Sequence, residues 1–200
     1  MPEIDPTSAL KVQPELASGE NIVWAGRPVA SVLFHKQDLY LIPFSLMWGG
    51  FAIFWEAGVT GFWGTSGNRA PAVFMLWGVP FVVIGQYLIW GRFVYAAWKK
   101  KRTYYAVTNR RVIVVQDGSS RRTSCAYLDT LPTLIKEAGP GATGTLRFGQ
   151  PEPVWSRNRG WSAWDSMALG SVPALVDVED VNSLYRLVSE LREKASAARA

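Results

Sequence analysis

Two long uncharged apolar runs constrain the fold of this chain more than any other feature. Residues 39–55 and 72–90 contain 17 and 19 residues without a charged side chain, and a transmembrane helix needs about 17 to 25 mostly apolar residues. Two buried core helices are the alternative, but a chain of 200 residues has little structure with which to cover them. The sequence predicts a helical hairpin over residues 39–98, with spans at about 39–55 and 72–98 and an outer loop at 56–71.

Basic residues on the two flanks of the hairpin predict its orientation. Arg27 and Lys36 precede the first run, a cluster of Lys and Arg follows the second, and the connecting segment holds only Arg69. Because Lys and Arg are retained on the cytoplasmic side of a membrane, both termini are predicted to be cytoplasmic. Residues 1–20 contain four acidic residues and one Lys, so no signal peptide is expected there.

Neither apolar run contains an ionisable residue, which favours an anchor over a transport pathway. Four glycines would permit close packing of the two helices; they are Gly49, Gly50, Gly78 and Gly85. Gln86 is the one strongly polar residue that could bond to a partner helix.

Residues 103–197 predict a small, mainly β domain. Residues 104–116 are rich in β-branched and aromatic side chains around a Thr108-Asn109 break, and Asp117-Gly118 follows as a turn signal. Further strands are predicted at 122–128 and 145–148, and residues 131–138 fit either a strand or a short helix. The chain ends in a predicted amphipathic helix, with Asp177 as N-cap and an apolar face of Val181, Leu184, Tyr185, Val188 and Leu191.

Four segments resemble, in order along the chain, the bacterial pleckstrin-homology (PH)-like domain proteins. The segment GENIVWAGRP at 19–28 is similar to one that precedes a membrane hairpin in many of them, and YYAVTNRRVI at 104–113 resembles their opening strand pair. GTLRFG at 144–149 and the sequence from Val176 resemble their central strand and terminal helix. The resemblance implies a barrel of about seven strands capped by a C-terminal helix and anchored in the bacterial inner membrane. It implies little about activity.

The segment 151–170 departs from this pattern because it is long and alternates aromatic with basic residues, namely Trp155, Arg157, Arg159, Trp161 and Trp164. It is either a loop folded back on the domain or a partner-binding loop, since Trp and Arg are enriched at interface hot spots. Trp24 and Arg27 join it as candidate partner contacts. We also expect Trp24 to dock on the domain or at the membrane interface, because its indole is costly to leave in water.

Nine basic residues follow the hairpin or end it: Arg92, Lys99, Lys100, Lys101, Arg102, Arg110, Arg111, Arg121 and Arg122. They either set the membrane topology alone or form a surface for anionic phospholipid, where each base gains about 1 kcal/mol. Arg92 is expected to snorkel from the last turn toward the inner surface.

The sequence contains few residues that could carry out catalysis or hold a metal ion. One Cys and one His supply no metal-ligand set and no nucleophilic pair, and no carboxylate pair has acid–base spacing. Gly139–Gly144 matches G-x-G-x-x-G, but a strand-like segment follows it, so a turn is expected instead of a nucleotide site. We therefore expect no enzyme activity, cofactor, metal or nucleic-acid binding.

These observations predict a non-catalytic accessory or assembly module of the bacterial inner membrane. It would bind a membrane-protein partner through the hairpin and a membrane-apposed domain. Recognition of anionic lipid by the basic surface is the alternative, and self-association of the hairpin remains open.

Overall fold

The computed structural model describes residues 3–30, 38–62, 71–118, 120–131, 133–139, 141–149 and 173–197. The predicted loop residues Trp155, Arg157, Arg159, Trp161 and Trp164 lie outside these ranges. The chain divides into two compact units, one formed by residues 34–95 and the other by residues 1–33 together with 96–200. The second unit is therefore built from both sides of the hairpin.

The described helices are α1 (Pro6–Val12), α2 (Asp38–Val59), α3 (Ala72–Gln86), α4 (Arg92–Lys100) and α5 (Val181–Ala197), and a π-helical turn (Tyr87–Gly91) joins α3 to α4. The described strands are β1 (Ile22–Gly26), β2 (Thr103–Thr108), β3 (Arg111–Asp117), β4 (Arg121–Tyr127), β5 (Leu134–Ala138), β6 (Gly144–Phe148) and β7 (Ala174–Val178).

Two helical stretches are long and apolar enough to cross a membrane; the first lies within the unit of residues 34–95, and the second begins there and ends in the other unit. They cover Leu39–Val59 and Ala72–Lys100, with mean hydropathies of 1.3 and 1.9. Only 17% and 11% of their most apolar windows are buried within the chain. Core helices would be mostly buried, so this exposure favours the predicted membrane hairpin.

Small residues bring α2 and α3 together. A Cβ on Gly85 would lie 2.9 Å from the Cα of Gly49, so the two backbones touch there. Seven residues away on both helices, the Glu56 carboxylate fills the space beside Gly78. Gly50, by contrast, has open space around it. Three of the four predicted glycines thus lie at the helix contact, as small residues do in membrane helix pairs.

The other unit contains two antiparallel sheets, ordered β1-β2-β3-β4 and β5-β6-β7. β1 precedes the hairpin in sequence, yet Ala25 pairs with Ala106 of β2. The hairpin is therefore inserted between two neighbouring strands of one sheet. The described strands form two separate sheets and do not close into the predicted barrel.

The two central strands of the first sheet, β2 and β3, are buried on both faces, whereas β4 is mostly exposed. Tyr105 and Val107 point into the main core between the sheets, which α5 covers with Leu184 and other apolar residues. Tyr104 and Ala106 point the other way, into a second core covered by α1. Because both faces of β2 are covered, all six of its residues are buried and its sequence shows no polar alternation.

The predicted C-terminal helix is present as α5, and Val181, Leu184 and Val188 are its buried residues. Its capping differs from the prediction. The Asp180 carboxylate accepts a hydrogen bond from the Ser183 backbone N–H, whereas Asp177 lies in β7 and its carboxylate binds elsewhere.

Candidate functional site

A buried ion pair joins the end of the second apolar stretch to the second sheet. Lys100 Nζ, on the last residue of α4, lies 2.7 Å from Asp177 Oδ2, and the two side chains are 1% and 8% exposed. One turn earlier, Ala96 packs with Ala174 and Val176 of β7. The prediction that Lys100 faces lipid is therefore corrected, because its ammonium is enclosed by the domain.

Asp177 is held in place by its backbone as well as by Lys100. Its φ of 52° is in the left-handed region, which Asp and Asn tolerate better than most residues. Its carbonyl accepts a hydrogen bond from the Val29 N–H at 2.7 Å. The pair is thus embedded where the N-terminal segment, α4 and β7 meet.

Apart from Lys100 and Arg92, the predicted bases lie at two opposite ends of the first sheet, as its strand register shows. Thr103 pairs with Gln116, which pairs with Arg122, so the β3–β4 turn lies where the chain enters the sheet from α4. Arg110 and Arg111 lie beyond Thr108, five residues along β2 and about 17 Å away at 3.4 Å per residue. The nine bases therefore do not form one continuous surface.

We call the group at the entry end the entry cluster, which consists of Lys99, Lys101, Arg102, Arg121 and Arg122. The backbone connects its parts, since the Asp117 N–H donates to the Arg102 carbonyl at 2.8 Å and Asp117 pairs in register with Arg121. The guanidinium of Arg102 lies 4.2 Å from the centre of the Trp98 ring.

Part of the positive charge near the entry cluster is neutralised. Arg121 forms an ion pair with Glu15 at 2.9 Å, and Lys11 pairs with Asp117 at 2.8 Å. The hydrogen bond to Asp117 raises the pKa of Lys11 and lowers the pKa of Asp117. Within the described ranges, Lys101, Arg102 and Arg122 are exposed and form no ion pair.

At the opposite end, Arg111 has a structural role instead of facing lipid. Its Nε and Nη2 lie 3.0 and 2.9 Å from the two carboxylate oxygens of Glu20, whose side chain is fully buried. The Thr108 hydroxyl donates to Glu20 at 2.7 Å. Burial alone would raise the pKa of Glu20, but the hydrogen bonds from Arg111, the Ala17 N–H and Thr108 lower it to about 2.

This network joins the two sequence segments 19–28 and 104–113. Besides the Glu20–Arg111 pair, the Asn21 N–H donates to Asn109 Oδ1 and the Asn109 N–H donates to the Asn21 carbonyl, both at 3.1 Å. The first segment is therefore a structural part of the β domain. Arg110, next to Arg111, is exposed at this distal turn.

Trp24 and Arg27, the two N-terminal candidates for partner binding, contact other residues of this chain. The prediction that Trp24 docks on the domain is confirmed, because its ring is 6% exposed in the main core and is not displayed to a partner. Arg27 Nε lies 2.9 Å from Asp5 Oδ2, and Asp5 also caps α1. Burial alone would raise the pKa of Asp5, but the hydrogen bonds from Arg27 and Ser8 lower it.

In the hairpin unit, Arg92 is 2% exposed and its guanidinium lies 4.5 Å from the centre of the Phe93 ring. The prediction that it reaches the membrane surface is therefore corrected, since its side chain is enclosed within the chain.

A cavity of about 240 Å³ lies between α2 and α3, lined by Trp48, Phe51, Ala52, Trp55, Trp77, Gly78 and Phe81. Two buried polar atoms of α2 near it, Trp48 Nε1 and Glu56 Oε2, have no hydrogen-bond partner in the described structure. Sequence reasoning missed Glu56 because it ended the first span at Trp55. The spacing of Ser45, Gly49, Ala52 and Glu56 along one helical face was the available signal.

The G-x-G-x-x-G match forms the turn between β5 and β6, as predicted. The Gly139 N–H donates to the Thr143 carbonyl at 2.9 Å, Gly141 has a φ of 69°, and β6 begins directly afterwards. Among the described residues, no group of three His, Cys, Asp or Glu side chains is placed to hold a metal ion.

No family model, curated protein or solved structure matches this chain. A functional assignment therefore depends on the chain's own residues and geometry.

Proposed function

We propose that this chain is a non-catalytic membrane-anchored module that binds a membrane-protein partner, as an accessory or assembly factor. In this proposal α2 and the stretch from α3 to α4 cross the bacterial inner membrane, and both termini are cytoplasmic. The β unit is a PH-like domain that works at the membrane surface.

Three features support the PH-like assignment. The described strands number seven, one C-terminal helix covers the core between the two sheets, and the Tyr105 hydroxyl joins the sheets. This hydroxyl donates to the Val176 carbonyl and accepts from the Val176 N–H, both at 3.2 Å. Burial raises the pKa of Tyr105, so the hydroxyl keeps its proton and both bonds persist over the physiological pH range.

The observation that carries the proposal is the buried contact between the end of α4 and β7. A flexible tether would suffice for an anchor, but Lys100 is locked to Asp177 and Ala96 is packed against the same strand. β2 begins only three residues after Lys100. The last turns of α4 are therefore a structural part of the β unit, as expected of a module that works next to the membrane.

The test is purification of the tagged full-length chain from native membranes in mild detergent, followed by mass spectrometry. We expect a membrane protein to co-purify in a fixed ratio. A tagged, unrelated two-span protein expressed at the same level controls for adventitious recovery. A chain that always purifies alone, or only with copies of itself, would overturn the partner proposal.

Anionic phospholipid is the second candidate ligand, and the exposed bases of the entry cluster favour it. Lys101, Arg102 and Arg122 lie at the end of the sheet nearest α4, where anionic headgroups would attract them.

The lipid candidate is tested by quantifying the lipid that co-purifies with a Lys101→Ala/Arg122→Ala variant. The matched control is Arg186→Ala/Lys194→Ala, which removes the same charge from exposed positions of α5. We expect anionic lipid to fall several-fold in the first variant alone. Equal retention in both would remove this candidate.

A further inference from the structure

We propose that the cavity between α2 and α3 receives a basic side chain, Lys or Arg, from a transmembrane helix of the partner protein, and that Glu56 is its counter-ion. This inference rests on the proposed function, because it names the chemistry by which the hairpin would recognise that partner.

The Glu56 carboxylate lies at the contact between α2 and α3. Its Oε2 is buried against Gly78 and accepts no hydrogen bond from any described residue. A carboxylate taken out of water without a partner is strongly disfavoured, and polar groups within membrane helices are therefore paired in most proteins. The residue as a whole is only partly buried, so a donor from outside the hairpin can reach the group.

The wall of the cavity is mainly aromatic. Five of its seven lining residues are aromatic, and three of these are Trp. Aromatic faces attract cations, Trp most strongly, and the attraction grows when water is excluded. Glu56 is not itself a wall residue, but its carboxylate lies against the wall residue Gly78. The aromatic faces and this adjoining carboxylate both match the charge of a Lys or Arg side chain.

The size of the cavity and the exposure of its wall suit a side chain from outside the hairpin. The cavity of about 240 Å³ is smaller than the roughly 300 to 1,000 Å³ of typical small-ligand pockets, yet it far exceeds the roughly 30 Å³ share of one water. It suits a single long side chain. Phe51, Trp55 and Trp77 on its wall are also largely exposed, so a neighbouring helix could pack beside them.

The experiment is photo-crosslinking in cells from a benzoylphenylalanine placed at Phe51, on the cavity wall. Phe74, exposed on α3 and not a wall residue, is the control position. We expect the Phe51 probe to crosslink to a transmembrane helix of the co-purifying protein next to a Lys or Arg, and the Phe74 probe to give at most a tenth of that yield.

Glu56→Gln tests the charge at nearly constant shape. We expect it to lower recovery of the companion at least ten-fold while the variant itself reaches the membrane in normal amount. Exchange of the charges, with Glu56→Lys in this chain and Glu in place of the basic residue on the companion, should restore recovery. Because crosslinking uses the unaltered carboxylate, it remains informative if a Glu56 variant folds poorly.

The two levels of the proposal fail differently. If no companion co-purifies with the wild-type chain, the proposed function itself fails. If a companion co-purifies but Glu56→Gln retains it fully, the counter-ion inference alone is overturned. Crosslinking of the Phe51 probe only to lipid, or only to a second copy of the chain, would overturn it as well.

Discussion

Single residues from distant parts of the sequence hold the β unit together. Glu20 and Arg111 are 91 positions apart, and Lys100 and Asp177 are 77 positions apart. Both pairs fix segments that adjoin the hairpin, the first before it and the second after it. Because each pair is largely or fully buried, the loss of one partner leaves a charge that water solvates poorly.

Lys100→Met should lower the free energy of unfolding of the β unit by about 3 to 5 kcal/mol, because it leaves Asp177 charged and buried. Lys100→Met/Asp177→Asn should recover most of that loss, since Asn is neutral and tolerates a positive φ. Urea unfolding in detergent, followed by Trp fluorescence, measures both. If the losses of unfolding free energy measured for Lys100→Met and for Asp177→Asn alone simply add in the double variant, the two residues are not coupled.

Glu20→Gln should make the free energy of unfolding less dependent on pH in the acidic range. In the folded chain the pKa of Glu20 is about 2, below its ordinary 4.5. The carboxylate therefore contributes its full stabilisation above about pH 4.5 and loses it progressively as the pH falls toward 2. The variant should be less stable at neutral pH and should lose less stability between about pH 5 and pH 2.5.

Thermal unfolding over this pH range measures the effect, with Glu190→Gln on the exposed face of α5 as the control. A Glu20→Gln variant whose stability falls with acid as steeply as that of the wild type would contradict the role given to Glu20.

The sequence predicts the burial of a residue well when its hydrophobicity decides it. It predicts burial poorly when an oppositely charged side chain elsewhere in the chain decides it. Trp24 was predicted to be covered because a large indole is costly to expose. The sequence predicts Lys100 and Arg111 at the membrane surface because they belong to the basic cluster beside the hairpin, and it predicts that Arg92 snorkels to that surface. The counter-charges of Lys100 and Arg111, which are Asp177 and Glu20, come from distant parts of the chain, and a single sequence does not show which parts meet.

At the scale of elements, two close backbone contacts define the structure: strand pairing in the sheets and the crossing of α2 with α3. The strands β2, β3, β4 and β6, the turn at Asp117-Gly118 and helix α5 were all predictable from β-branched residues, turn residues and helical periodicity. β1 was not predicted, because its pairing partner β2 lies beyond the whole hairpin. The ambiguous segment 131–138 contains β5 in its second half.

Gly85→Val should destabilise the hairpin by about 1 to 3 kcal/mol, the usual cost of overpacking, because its side chain would meet the Gly49 backbone. Gly50→Val adds the same side chain where there is open space and should have little effect. Heating in detergent, followed by chromatography of the protein that remains soluble, compares the two. Equal losses would contradict the helix contact described above.

At the scale of the whole molecule, the β unit is interrupted by the hairpin. A fragment that begins at Thr103 lacks β1, Trp24 and α1, so one edge of β2 and both cores would be open. We expect this fragment to aggregate or to show poorly dispersed amide resonances. A fragment with residues 3–30 joined to 96–197 by a flexible linker should be monomeric and folded. Equal behaviour of the two fragments in solution would contradict the role of the N-terminal segment.

Every proposal above requires the hairpin to cross the membrane and leave the β unit on the cytoplasmic side. Cys125 is the single cysteine and is exposed on β4, so a membrane-impermeant maleimide applied to spheroplasts reports its location directly. Cys125 should react only after lysis, whereas Ser66→Cys in a Cys125→Ser background should react in intact spheroplasts. Labelling of Cys125 in intact spheroplasts, or protection of Ser66→Cys until lysis, would contradict the account.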